Sequence, residues 1–153
     1  MRKSHGGKGE GEQLLRYSLG MVERVLVTDA ALALIERLRA KHGKLMFHQS
    51  GGCCDGSSPM CYLAGEFKVG GEDVRLGAIC GSDFWMWAEQ YEFFAASQLI
   101  IDVVPGRGSG FSLEAPEGVR FLTRSQLFTE EELAELEQQG PLPRGREPAR
   151  AAT

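Results

Sequence analysis

The stretch Val25–Gln49, VLVTDAALALIERLRAKHGKLMFHQ, reads as a strand, a helix and a second strand in one short run. Val25, Leu26 and Val27 are apolar and two are β-branched, which suits a short buried strand. Thr28 follows in the position of a helix N-cap, where its hydroxyl accepts a bond from an orphan N–H of the first turn. Asp29 then places negative charge at the positive end of the helix dipole. Ala31, Leu34, Ile35 and Leu38 recur at helical spacing and give one apolar face. Lys41 and His42 fall in the last turn, where cations are favoured, and Gly43 is the expected left-handed stop. Lys44 to Gln49 returns to a strand pattern.

Tyr62 to Val69 reads as a strand, Gly70-Gly71 as a turn and Asp73 to Cys80 as the partner strand. That hairpin would bring Cys61 and Cys80 to its open end. Phe84 to Trp87 reads as a strand-like start to a helix from about Ala88, and Leu99 to Val104 as a strong strand. Pro105 to Gly110 is a turn, and Phe111–Glu114 and Val119–Leu122 are short strands around Pro116-Glu117-Gly118. Thr129 and Glu132 form a capping box that opens a terminal helix. The sum is an α+β domain of mostly short antiparallel strands with two or three helices, over residues 21–139. Residues 1–20 read as a flexible tail, with Met21 an alternative translation start, and residues 140–153 as a disordered one.

At 153 residues, 42% of them hydrophobic, the chain has the length of a single domain with a core of its own. A net charge of -4 argues against a nucleic-acid or anionic-membrane partner. No apolar run approaches a membrane span, and the N-terminal MRKSHGGKGEGEQ is no secretory signal. The expected location is therefore the cytoplasm, a reducing compartment. There, clustered cysteines serve as metal ligands, reactive thiols or small core residues rather than disulfides.

The segment from His48 to Cys61 holds three of the four cysteines and one of the three histidines. Thiolates and imidazole are the usual protein ligands for zinc, iron and iron–sulfur clusters. Cys53, Cys54 and Cys61 are thus candidate ligands, with Cys80 and His48 as additions. The spacing holds no Cys-x-x-Cys pair, so the metal-free thiol and the packed-core readings stay open. His48 alone reads as a satisfied structural histidine and Cys80 alone as core. His42 reads as helix-end electrostatics and His5 as part of the tail. Trp85, Trp87, Tyr91 and Phe94 read as core, and Asp102 as a local hydrogen-bond acceptor. The run Gly106 to Gly110 lacks the Walker pattern and precedes a strand, so it is no phosphate loop. No catalytic residue is assigned, and the reading leans to a non-enzymatic protein.

Three segments, LMFHQSGGCCDGSSPMC, QLIIDVVPGRGSGFSLEAPEGVRF and TRSQLFTEEEL, resemble a bacterial family catalogued as domain of unknown function 779. Its members are often encoded beside aldehyde dehydrogenases. The resemblance therefore implies an accessory role in aldehyde or alcohol oxidation, with an aldehyde dehydrogenase as partner. A fainter similarity joins VTDAALALIERL, SGGCCDG and GSGFSLEAP to the A-type iron–sulfur carriers of HesB-like fold. It implies that Cys53 or Cys54 matches the carrier's first cluster cysteine. Those carriers end in a Cys-Gly-Cys pair, where this chain reads RFLTRSQLF. Any ligands must then come from the loop, Cys80, His48 or the second subunit of a homodimer. The functional expectations are a metal- or cluster-binding accessory protein, a non-enzymatic partner or regulator of an aldehyde dehydrogenase, or a thiol enzyme.

Overall fold

The computed structural model describes residues 21–49, 57–106 and 111–145. Its first elements follow the sequence closely. β1 (Val25–Val27) leads into Thr28, whose hydroxyl accepts the Ala31 N–H and caps α1 (Asp29–His42). The Thr28 hydroxyl donates in turn to Asp102. Burial alone would raise the Asp102 carboxyl. The Val103 N–H, the Thr28 hydroxyl and the Arg124 guanidinium outweigh it and hold the carboxyl below its ordinary range. Gly43 ends α1 at φ +100° and ψ -157°, a glycine conformation but not the expected left-handed helical one.

The remaining elements are β2 (Leu45–Gln49), β3 (Met60–Leu63), β4 (Asp73–Ile79), β5 (Ser82–Trp87), α2 (Ala88–Phe94), β6 (Ser97–Pro105), β7 (Val119–Leu127) and α3 (Glu130–Gln139). The strands form one sheet ordered β1-β6-β7 and another ordered β3-β2-β5-β4. Pairings β2–β3, β4–β5 and β6–β7 are antiparallel, while β1–β6 and β2–β5 are parallel. This is an α+β fold of short, mostly antiparallel strands.

The expected hairpin across Gly70-Gly71 does not form. β3 ends at Leu63 and pairs back onto β2, while β4 pairs forward onto β5. The turn that joins β4 to β5 is Cys80-Gly81, with φ +51° and +76°. Two central residues at positive φ are what the tightest hairpin turn needs, and a two-residue loop closes at less entropic cost than a longer one. Two further differences concern the second half. Phe111–Glu114, expected as a strand, makes turns before a 3₁₀ turn at Ala115–Glu117. β7 runs on to Leu127 because the long β6 offers it a partner at every position down to Ser97.

The core lies between the sheets and under α1. Ala31, Leu34, Ile35 and Leu38 of the helix join Phe47 and Phe84 of one sheet and Leu99, Ile101 and Phe121 of the other. The Phe47 and Phe121 rings meet edge to face at 5.2 Å. Trp85 and Trp87 point the other way, to the outer face of the four-stranded sheet, and Trp87 is exposed. Residues 140–145, expected as tail, instead line the outer edge of β4. The Arg75 N–H donates to Pro143 O and the Gly145 N–H to Asp73 O. These bonds satisfy an otherwise open sheet edge.

Candidate functional site

Of the five candidate ligands, Cys53 and Cys54 lie outside the described residues. The strand ends around them are described. Gln49, the last residue of β2, is fully buried on the core face of its sheet. The Thr123 hydroxyl donates to the Gln49 carboxamide oxygen at 2.6 Å, and the Thr123 N–H donates to Ser57 O at 2.7 Å. One buried β7 residue therefore holds both ends of the cysteine-bearing segment. The Gln49 carboxamide nitrogen, also buried, has no hydrogen-bond partner among the described residues.

Cys61 lies on β3 opposite Phe47, on the same core face as Gln49. Its N–H donates to the Ser112 hydroxyl at 2.8 Å, and that hydroxyl donates to a Glu114 carboxylate oxygen at 2.5 Å. The Phe121 N–H reaches the second carboxylate oxygen at 3.5 Å. Cys61, Ser112 and Glu114 are all buried. Burial, and then the Glu114 charge, push the Cys61 thiol far above the ordinary thiol range. Burial also raises the Glu114 carboxyl, partly offset by the Ser112 hydroxyl and the N–H groups of Glu114 and Phe121. Burial thus favours the protonated form of both, and a metal ion would have to displace the Cys61 proton on binding.

The other two candidates lie elsewhere. His48 projects from the opposite face of β2, where its Nε2 meets Asp73 Oδ1 at 2.8 Å and its ring lies 4.2 Å from that of Phe67. Asp73 Oδ2 accepts the Gly70 N–H. This is the satisfied structural histidine of the plainer reading. Cys80 occupies the β4–β5 turn at the far edge of the sheet. β3 and β4 are the two outer strands, so roughly 14 Å of sheet separates them at the usual strand spacing. The Arg39 guanidinium donates to Cys80 O at 2.9 Å and lies 3.6 Å from its sulfur. Among the described residues no three histidine, cysteine, aspartate or glutamate side chains gather as a metal site.

Sequence reasoning overlooked Gln49, Ser112, Glu114 and Thr123. Their signal was polarity inside apolar runs, Gln49 ending LMFHQ and Glu114 inside FSLEAP. Residues 34–127, which contain every one of these positions, match the family described as Domain of unknown function (DUF779). The chain belongs to that family. No curated protein and no solved structure matches this DUF779 chain. Among its described residues, no helix is long and apolar enough to cross a membrane.

Proposed function

We propose that this DUF779 chain is a small accessory protein that binds a metal ion or iron–sulfur cluster beside an aldehyde- or alcohol-oxidising enzyme. Cys53 and Cys54 are its first ligands, Cys61 the third and the Glu114 carboxylate a fourth. The observation that carries the reading is the double anchor on Thr123. It holds the ends of the Cys53–Cys54 segment against the face that carries Cys61, Ser112 and Glu114. Thiolate-rich sets select zinc, iron or iron–sulfur clusters. His48 and Cys80 stand outside this ligand set, one on the opposite face and one at the opposite edge. The A-type carrier resemblance enters as analogy for cluster binding alone.

The test compares metal content across single variants purified without oxygen. Cys53→Ser, Cys54→Ser and Cys61→Ser each lose the metal, while Cys80→Ser and His48→Gln keep it. Equal metal in all five variants, or none in the parent, contradicts the proposal.

A second reading is docking without chemistry on an aldehyde dehydrogenase. Phe93 favours it, being 68% exposed on α2, close in sequence to exposed Trp87. Co-purification that survives Cys53→Ser and Cys54→Ser together but fails with Phe93→Ser favours this reading over the first.

A further inference from the structure

Away from the cysteines, a groove of about 360 Å³ opens between α2, the start of β4 and the C-terminal segment 140–145. It exists because that segment pairs with β4, placing Leu142 and Arg144 across from Ala88 and Tyr91. Val74, Ala88 and Leu142 give it apolar walls. Its polar groups are two guanidiniums, a phenol and a carboxylate.

Arg24 sits on one side. Its guanidinium lies 5.2 Å from the Tyr91 ring centre and 5.7 Å from that of Phe128. One of its nitrogens donates to Ala95 O at the end of α2, at 2.8 Å. Among the described residues no carboxylate pairs with it. Arg144, on the other side, donates to Gly71 O at 2.9 Å and likewise pairs with no carboxylate there. A guanidinium carries five N–H donors in a planar fork, so both retain donors for an anion. Burial opposes the Arg24 charge, so an arriving anion relieves a cost already present in the fold. Glu92 also lines the groove, and two guanidiniums with one carboxylate leave room for a single negative charge.

We propose that this groove binds a small organic monocarboxylate. The carboxylate lies between Arg24 and Arg144, and a short apolar tail lies against Val74, Ala88 and Leu142. The volume suits a ligand of a few carbon atoms rather than a polymer. Glu92 disfavours a dianion such as phosphate, and the apolar walls disfavour one without a hydrocarbon part.

The test titrates the isotope-labelled full chain with 3-methylbutanoate and, separately, with the neutral 3-methylbutanamide, followed by amide and methyl chemical shifts. The acid is expected to perturb Val74, Ala88 and Leu142 saturably, with the amide at least about tenfold weaker. Arg144→Gln weakens acid binding by about tenfold and Glu92→Gln strengthens it. Arg24→Gln removes a cap from α2 as well, so the Arg144 and Glu92 variants carry the decision if it fails to fold. Equal binding of acid and amide, no saturable shift at those residues, or unchanged affinity in Arg144→Gln overturns the proposal.

Discussion

The Thr123 hydroxyl donates to the Gln49 carboxamide oxygen at 2.6 Å, joining the two sheets beside the cysteine-bearing segment. Because the Thr123 N–H also holds Ser57 O, one residue fixes where that segment leaves the fold and where it returns. Thr123→Val keeps the shape and the backbone bond but strips the hydroxyl, leaving the buried Gln49 oxygen unpaired. The expected cost is about 1–3 kcal/mol. Urea denaturation measures it, and an unchanged midpoint would show that the hydroxyl anchors nothing.

The sheets also meet through Phe47 and Phe121, both fully buried and in edge contact. Phe121→Ala is expected to cost about 3–5 kcal/mol, whereas Phe93→Ala on the exposed face of α2 stays within about 0.5 kcal/mol. Thermal unfolding of the two variants side by side checks the contrast. Similar losses would misplace the core.

Glu114 gives the stability a pH dependence of known sign. Burial raises its folded-state pKa above the unfolded value, so the native state retains a proton that the unfolded chain has released. Its contribution is complete below the ordinary carboxylate range and is lost as pH rises through the raised value. Glu114→Gln removes that slope. In the chelated, metal-free protein, urea midpoints from roughly pH 4 to 8 should therefore fall less steeply with pH in the variant than in the parent. Parallel curves would show that Glu114 ionises in the fold as it does in the open chain.

The two described cysteines should differ in reactivity. Cys61 is buried with its thiol pKa pushed up, while Cys80 is only partly buried, in a turn beside Arg39. Iodoacetamide should label Cys80 in the native protein and reach Cys61 on the order of a hundredfold more slowly or worse, through unfolding. Mass spectrometry of timed samples reads both rates. Equal labelling would place Cys61 at the surface.

Local chemistry made much of the fold legible. Thr28 and the Thr129–Glu132 capping box fixed two helix starts, and the α1 face was plain in its spacing. Strand pairing was harder because it depends on turns that compete. Gly70-Gly71 looks like the better hairpin turn in sequence. Cys80-Gly81 forms instead, with a non-glycine residue at φ +51°, and that choice sends β4 to β5. The misplaced hairpin also misplaced Cys80 relative to Cys61. Glu114 and Thr123 escaped notice for a related reason. Each is a single polar residue whose meaning comes from partners far away in the chain, Thr123 bonding to Gln49 and Ser112 linking Glu114 to Cys61.

Metal binding is settled by elemental analysis of the full chain purified without oxygen, with unfolding followed before and after chelation. The expected result is about one metal or cluster equivalent per chain, and a lowered unfolding midpoint once it is removed. A metal-free protein whose midpoint is the same with and without chelator would contradict it.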